Sequence, residues 1–260
     1  MTVSFTYVSV LLAFIVPPIL ILCRFARRRD RAWWGPRPLS GLGLLIALAT
    51  VYTTPLTNSL IPAGVWWYGE GAVVATVWHT PVEEYLFFVL QPMLTAFWLF
   101  QDPPPVDRSL SIPLAHRFWG GAGGLALAAA GWVLIGGTST YYLGWLLAWA
   151  GPVLAVQWGF GITYLWDVRR SVLIAIGVPT LYLWVVDRIA ITLGIWIISD
   201  AHTVGYTLVG LPVEEAMFFL VTNVFVVQGI VMYVWVLEHV HELPTASEVL
   251  SRLDARFDDQ

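Results

Sequence analysis

Long apolar runs separated by short polar segments dominate this chain of 260 residues. A helix needs about 20 mostly apolar residues to cross about 30 Å of hydrocarbon. Seven runs approach or exceed that length, at 5–23, 41–61, 81–100, 118–136, 141–165, 171–198 and 212–237. The pattern therefore predicts an all-α integral membrane protein with seven transmembrane helices.

The distribution of arginine predicts how these helices are oriented. Arginines follow the first, third and fifth runs, whereas the segments 62–80, 137–140 and 199–211 contain none. The arginines in question are Arg24, Arg27, Arg28, Arg29, Arg31 and Arg37, then Arg108 and Arg117, then Arg169 and Arg170. Because basic residues collect on the cytoplasmic side, we expect a multi-pass cell-membrane protein with its N-terminus outside and its C-terminus in the cytoplasm.

Composition agrees with a membrane protein and removes several function classes. Hydrophobic residues make up 58% of the chain and charged residues 12%, whereas soluble domains carry about 25% charged residues. The net charge of −4 gives no reason to expect nucleic acid as a partner. All 13 basic residues are arginine, so a retinal protein, which needs a lysine for its Schiff base, is excluded. The single cysteine, Cys23, excludes a disulfide framework.

One short motif occurs twice, at the start of the third and seventh runs. The copies read Pro-Val-Glu-Glu-Tyr-Leu-Phe-Phe at 81–88 and Pro-Val-Glu-Glu-Ala-Met-Phe-Phe at 212–219, and six of the eight positions are identical. The offset of 131 residues lays the second run on the sixth and the third on the seventh, with the fourth left as a connector. We therefore expect two parallel three-helix repeats related by an axis along the membrane normal.

This repeat divides the chain into four segments. The first repeat is expected at 1–101, a loop and the connecting span at 102–137, the second repeat at 138–240 and a cytoplasmic tail at 241–260. In the tail, Thr245-Ala246-Ser247-Glu248 is typical of a capping box before a short amphipathic helix.

The duplicated motif predicts an acid/base site built from Glu83, Glu84, Glu214 and Glu215. Proline at a first helical turn marks a helix start, and the parallel repeat brings both carboxyl pairs to the outer ends of their helices. Four carboxyls partly withdrawn from water favour a mixed state, in which one carries a proton while another is ionised. On this basis glutamine at Glu83 or Glu214 is expected nearly to abolish catalysis. The alternative is that these carboxyls only cap their helices and face water.

Aromatic residues are expected to form the walls of this site. Phe87, Phe88, Phe218 and Phe219 lie one helical turn below the glutamates, where their π faces can stabilise a cation. Trp66 and Trp67, which precede the first motif, are expected near the same outer level of the membrane. Tyr68, Trp78 and Trp196 are expected at that level too. The alternative for all of them is ordinary packing, contact with lipid or a position at the membrane interface.

Several polar residues within the runs are candidates for orienting the glutamates. Asp187 and Arg188 lie inside the sixth run, and ionisable residues in such positions are candidates for function. Asn58 and Asn223 are further candidates, as is Gln91. The alternatives are an ion pair or a hydrogen bond between helices. The sequence Glu238-His239-Val240-His241-Glu242 looks like a metal site, but it lies at the opposite membrane surface, so no metal is predicted.

These features together resemble one family, the small membrane lycopene cyclases of archaea, actinobacteria and fungi. The resemblance covers residues 1–240 and rests on the duplicated Pro-x-Glu-Glu-x-x-Phe-Phe motif, on Gly64-Val65-Trp66-Trp67-Tyr68-Gly69 and on Asp187-Arg188-Ile189-Ala190. The chain looks like the fused single-chain form of this family. At one position it departs from the family pattern, since Thr57 stands where an acidic residue is expected beside Asn58.

The resemblance implies a lycopene β-cyclase of carotenoid biosynthesis, an intramolecular lyase or isomerase without a cofactor. The ψ-ends of lycopene would close to β-rings, giving γ-carotene and then β-carotene with no net redox change. The implied partners are lycopene and other carotenoids, the lipid bilayer and other enzymes of the carotenoid pathway. A strong acid, a nearby base, aromatic walls and exclusion of water are what this chemistry needs.

Other functions remain as alternatives at this stage. A proton-coupled transporter would use the same carboxyls without changing its substrate. A cyclase could instead form ε-rings or accept longer carotenoids, because only a different proton need be removed. An intramembrane metalloprotease is disfavoured, since residues 85–100 contain neither histidine nor arginine.

Overall fold

The computed structural model describes residues 5–29, 33–107 and 113–239, and within these ranges the chain is mostly helical with seven long helices. Helix α1 consists of the consecutive segments Tyr7–Val10, Leu11–Ile15 (a π-helical turn) and Val16–Arg29. The other six are α2 Pro36–Leu60, α3 Val82–Leu99, α4 Leu114–Leu134, α5 Tyr141–Asp167, α6 Arg169–Thr192 and α7 Val213–Glu238. Arg31, Arg108 and the predicted tail at 241–260, with its capping box, lie outside the described residues.

Five of these helices are long and apolar enough to cross a membrane, namely α1, α2, α5, α6 and α7. Helix α3 has only 18 residues and begins with two carboxyls, and α4 contains several glycines in place of larger apolar side chains. The membrane character expected from the sequence is therefore present, while the full set of seven spans stays a prediction.

The sixth apolar run does not remain helical to residue 198, which corrects the predicted boundary of that helix. Helix α6 ends at Thr192, where Gly194 adopts a left-handed φ of 68°. The N–H of Gly194 donates to Ile191 O and that of Ile195 to Ala190 O, both at 3.0 Å. This glycine cap satisfies the last carbonyls of the helix, and the chain continues as strand β4, Trp196–Ile198.

Helix α2 ends in the same way. Gly64 has a φ of 74° and donates to Ile61 O at 2.9 Å, while Val65 N–H donates to Leu60 O at 3.1 Å. Strand β1, Trp66–Tyr68, follows and pairs antiparallel with β4. The two halves of the chain are thus joined by backbone hydrogen bonds next to the ends of α2 and α6.

A small hairpin precedes each copy of the duplicated motif. Strands β2 Thr76–Val77 and β3 Thr80–Pro81 form the first, and β5 Thr207–Leu208 and β6 Leu211–Pro212 form the second. The turns place Trp78 and Val209 at positive φ values of 56° and 54°, a conformation rare for such residues. Pro81 and Pro212 are then the N-caps of α3 and α7. The predicted helix starts are confirmed, and each is set by the same local backbone.

Buried amides and hydroxyls tie the middle of the helices together. The side chain of Asn223 on α7 accepts from Gln91 Nε2 at 2.6 Å and Thr95 Oγ1 at 2.5 Å, both on α3. Its Nδ2 donates to Thr180 Oγ1 on α6 at 2.9 Å. Because buried polar groups are costly unless paired, this network fixes the relative positions of α3, α6 and α7.

Helices α4 and α5 form a closely packed hairpin beside this bundle. A methyl group on Gly124 of α4 would lie 2.2 Å from the backbone nitrogen of Ala155 on α5. Small residues permit such close approach between helices in membranes. The predicted connecting helix, α4, therefore packs chiefly against α5 and stays apart from the duplicated motif.

Candidate active site

A cavity of about 80 Å³ lies where the N-terminal turns of α3 and α7 meet α1, α6 and the β1–β4 pair. Most of its wall is apolar or aromatic, and among the described residues that line it none is basic. The lining residues are Tyr7, Val10, Leu11, Ile15, Leu56, Thr57, Trp66, Tyr68, Glu84, Phe87, Phe88, Tyr142, Leu183, Val186, Asp187, Trp196, Ile198, Glu215, Phe218 and Phe219. Both copies of the motif thus contribute to one cavity.

Glu84 and Glu215, the second glutamate of each copy, line this cavity. Tyr68 donates its phenolic hydrogen to Glu84 Oε2 and accepts at 3.1 Å from Trp66 Nε1. Tyr142 donates to Glu215 Oε1 at 2.8 Å. Each cavity glutamate is therefore held by a tyrosine from its own half of the chain.

Tyr68 lies in β1, outside the helices, and its surroundings keep its phenol protonated, so that it can donate a hydrogen bond. Burial and the nearby Glu84 carboxyl raise the pKa of the Tyr68 phenol well above its usual range. It therefore stays protonated at neutral pH and can orient the carboxyl oxygen that it contacts.

Glu83 and Glu214, the first glutamate of each copy, lie outside the cavity lining. Both are almost completely buried, at 1% and 0% exposure. Glu83 Oε1 accepts from Val74 N and Glu214 Oε1 from Val204 N, each at 2.7 Å. In the described part of the chain, the second oxygen of each has no hydrogen-bond partner. These two carboxyls hold the loops before the hairpins.

Asp187 brings a third carboxyl to the cavity. It is 1% exposed, and its Oδ1 accepts from Trp196 Nε1 at 2.9 Å. Its Oδ2 is buried and has no partner among the described residues. Arg188 is exposed and lies against Gly210 of the second hairpin, so the ion pair considered between the two neighbours does not form. Asp187 instead lines the cavity with one of its carboxyl oxygens left unpaired.

Thr57 occupies the corresponding place in the first half of the chain, because it precedes the glycine cap Gly64 by seven residues, as Asp187 precedes Gly194. It lines the same cavity from α2, and its Oγ1 lies 2.9 Å from Thr80 Oγ1. The position at which the sequence departs from the family pattern is therefore part of the site, with a hydroxyl in place of a carboxyl.

The predicted aromatic walls are present with two exceptions, Trp67 and Trp78, of which Trp78 is 74% exposed and absent from the lining. Phe87 and Phe219 meet edge to face at 6.0 Å between ring centres, and Phe218 and Phe219 do so at 5.4 Å. Phe88 and Trp66 also line the cavity. Trp67 is 46% exposed and is not among the lining residues, because alternate side chains of strand β1 point to opposite faces.

The two asparagines expected to support the glutamates act elsewhere. Asn58 accepts from the backbone N–H of His79 at 2.8 Å and donates to Tyr85 Oη at 3.3 Å, which fixes the turn of the first hairpin. Asn223 belongs to the buried network in the middle of the helices. Within the described part of the chain, neither asparagine forms a hydrogen bond with a glutamate.

Sequence reasoning missed two tyrosines of the site. Tyr142 is the partner of Glu215, and Tyr7 lies 4.9 Å from Trp196 and 6.2 Å from Tyr68 between ring centres. Both residues lie in the first turn of an apolar helix at the predicted outer level, which is the signal that could have found them. Tyrosine near the end of a membrane helix is common for other reasons, so this signal is weak.

The arrangement suits proton transfer in a water-poor space. Three carboxyls, two of them bonded to phenols, face a cavity whose remaining wall is mostly hydrocarbon and aromatic rings. Carboxyls in such surroundings can be present in both protonation states near neutrality, and the ring faces can stabilise a positive charge.

Comparison with known proteins decides the family. The model of the lycopene cyclase family matches residues 4–100 and again 139–235. This chain belongs to the lycopene cyclase family. A lycopene beta-cyclase of Halobacterium salinarum is 45% identical over 235 residues, which cover 89% of this chain and 97% of that protein.

Fungal members of the lycopene cyclase family are more distant and longer. A bifunctional lycopene cyclase/phytoene synthase of Arthroderma gypseum is 36% identical over 72% of this chain and 35% of its own length. The protein with the same description from Pyrenophora tritici-repentis is 34% identical over 87% of this chain and 40% of its own length. No solved structure matches the chain.

Proposed function

We propose that this chain is a lycopene β-cyclase of carotenoid biosynthesis that closes the ψ-ends of lycopene to β-rings. The observation that carries the proposal is the convergence of Glu84, Glu215 and Asp187 on one aromatic cavity. The similarity to a lycopene beta-cyclase over most of both chains supports it. We assign the activity to the intramolecular lyases or isomerases, with γ-carotene formed first and β-carotene second.

The proposed reaction adds one proton and removes one for each ring. A carboxyl protonates C2 of the terminal double bond, which leaves a tertiary cation at C1. The C5–C6 double bond then attacks C1, so that the C1–C6 bond forms and the charge moves to C5. A carboxylate removes the proton from C6, and the ring double bond forms between C5 and C6. The substrate is isomerised, with no oxidation or reduction.

Glu84, Glu215 and Asp187 are the proposed proton donors and acceptors, since these carboxyls face the cavity. Phe87, Phe88, Phe218, Phe219 and Trp66 stabilise the cation and exclude water, which would otherwise convert it to an alcohol. Glu83 and Glu214 are positioning residues that hold the loops over the site. The catalytic set expected from the motif is thus narrowed to one glutamate per copy and extended by Asp187.

The proposed location is the cell membrane, with seven spans, the N-terminus outside and the C-terminus in the cytoplasm. The five apolar helices support a membrane location, and the matching hairpins and glycine caps support two parallel repeats at 1–101 and 138–240. The substrate then enters from the bilayer in which it dissolves. Lycopene, other carotenoids and other pathway enzymes are the proposed partners.

Expression of this chain in cells that make lycopene tests the proposal. Chromatography of the extracted carotenoids is expected to show β-carotene, with γ-carotene as the intermediate. Lycopene left unconverted by a correctly inserted protein would contradict the proposal and favour a transporter. Rings of the ε type, or rings formed only on longer carotenoids, would keep the cyclase and change its specificity.

A further inference from the structure

A second cavity of about 250 Å³ lies below the first, toward the middle of the helices. Helices α2, α3, α5 and α7 form its walls, and most of its lining is aliphatic or aromatic. It has two buried amides, from α3 and α5. Gln91 Nε2 donates to Asn223 Oδ1 at 2.6 Å and Gln157 Nε2 to Phe225 O at 3.0 Å, while Gln157 Oε1 has no partner among the described residues. An apolar space of this kind suits a hydrocarbon ligand.

The two cavities share a wall made of Phe87, Phe88 and Phe218. On α3, a single helical face carries Glu84, Phe87, Phe88 and Gln91, since residues three, four and seven apart lie on one side of a helix. The first of these lines the upper cavity, the phenylalanines line both and Gln91 lines the lower one. One helix face therefore leads from a carboxyl into the second cavity.

Helix α7 repeats this arrangement from the opposite side. Glu215 and Phe219 line the upper cavity, Phe218 lines both, and Thr222 and Val226 line the lower one. From Glu215 to Val226 the helix rises about 16 Å. The two cavities thus lie one after the other along both helices, with carboxyls lining the first, hydrocarbon lining most of the second and three phenylalanines lining both.

The lower cavity reaches the outside of the bundle between α2 and α5. Leu48 on α2 lines it and is 54% exposed. Beside it Tyr52 donates to Trp149 O at 2.8 Å, and the two rings stack at 5.7 Å. Since α2 and α5 are both apolar enough to lie in a membrane, this side of the cavity faces lipid.

From this alignment and the shared phenylalanines we propose that the second cavity binds the linear polyene chain of the substrate while the ψ-end lies among the carboxyls. This inference rests on the proposed function and adds to it a binding site for the unreacted part of the molecule. The phenylalanines shared by the cavities lie where the reacting end joins the conjugated chain, and the opening between α2 and α5 is the route from the bilayer.

Filling the second cavity without touching the first tests this proposal. Ala49→Phe places a ring in the cavity from α2, and Val153→Phe does so from α5. The matched control is Ala129→Phe, because Ala129 lies on the exposed surface of α4. Each variant is purified from lycopene-producing cells, and the polyene retained per protein is measured by absorbance in a Glu84→Gln background.

Both cavity variants are expected to retain at least about tenfold less lycopene than the control. The new ring keeps part of the polyene out of the cavity, so binding loses the free energy of burying those carbon atoms. Melting temperatures identify any variant that fails to fold. If one cavity variant fails, the variant on the other helix provides the test of polyene binding. Retention of lycopene at the control level by a folded cavity variant would overturn the proposal.

The result for polyene binding is independent of the result for ring formation. Loss of retention in the cavity variants, with a wild type that forms no rings, would support the binding site and refute the reaction. Ring formation by wild type, with full retention in the cavity variants, would support the reaction and refute the binding site.

Discussion

The two halves of the site hold their paired glutamates by similar hydrogen bonds, although Tyr68 lies in β1 and Tyr142 in α5, and they differ at one further residue. Glu83 and Glu214 both accept from a loop N–H at 2.7 Å, and Glu84 and Glu215 both accept from a tyrosine. In the second half Asp187 faces the cavity, whereas Thr57 occupies that place in the first half. The duplicated parts build the scaffold and present two equivalent carboxyls.

The difference between the halves bears on how a symmetrical scaffold performs an unsymmetrical reaction. A cyclisation needs one group that gives a proton and another that takes one. Two equivalent glutamates do not distinguish these roles, but a further carboxyl supplied by only one half does, since neighbouring carboxyls affect each other's protonation. We therefore expect the half with Asp187 to differ in role from the half with Thr57.

The largest effect is expected from removing the cavity glutamates. Glu84→Gln and Glu215→Gln each take away a group that can transfer a proton, and such groups contribute factors of about 10²–10⁴ to a rate. Initial rates of ring formation in membranes should fall by that factor, with normal insertion. The control is Glu70→Gln, which changes an exposed glutamate. A near wild-type rate in either variant would show that the substituted glutamate does not transfer a proton in the reaction.

Asp187→Asn removes the carboxyl that distinguishes the two halves, and its effect on the rate is expected to be the second largest. It keeps the shape of the side chain and the acceptor for Trp196, but it can no longer exchange a proton. The turnover number is expected to fall by about 10² with little change in KM. Thr57→Val, its counterpart, should lower turnover only a few-fold. Equal effects at both positions would mean that Asp187 has a structural role only.

Tyr68→Phe and Tyr142→Phe test whether the halves hold their glutamates equally. Each removes a hydrogen bond to a carboxyl, which is worth about 1.5–3 kcal/mol, so rates should fall about tenfold to a hundredfold. Tyr141→Phe is the matched control, since Tyr141 does not line the cavity. A much larger loss for one cavity tyrosine would show that its glutamate alone depends on orientation.

Glu83→Gln and Glu214→Gln should have the smallest effect, which revises the expectation drawn from the motif alone. The amide oxygen can still accept from Val74 or Val204, so activity should fall less than about tenfold. Alanine at either position removes the acceptor and should lower the free energy of unfolding by about 1–3 kcal/mol. Complete loss of activity in folded glutamine variants would return these two residues to the catalytic set.

The sequence predicted the helices and the level of the site because long apolar runs and paired motifs are local signals. It could not separate Glu83 from Glu84, since neighbours on a helix differ by about 100° in direction and nothing local fixes that angle. Tyr142 lies 73 residues from the glutamate it binds, so only the fold brings them together.

One other feature was recoverable in principle. Gly64-Val65-Trp66 and Gly194-Ile195-Trp196 share a pattern that ends a helix and begins a strand. An apolar run gave no reason to look for a strand there, because a buried strand and a buried helix have the same composition. The unpaired oxygen of Asp187 depends on the exposure of Arg188, which no local pattern predicts.

Ring formation in deuterated water, followed by mass spectrometry of the product, tests directly whether the cavity carboxyls protonate the substrate. The carboxyls of the cavity exchange with solvent, so the proton added at C2 should be a deuteron. We expect one deuterium at C2 of each ring formed by wild type and almost no rings from Glu84→Gln or Glu215→Gln. Rings formed without solvent deuterium, or formed normally by both variants, would contradict this expectation.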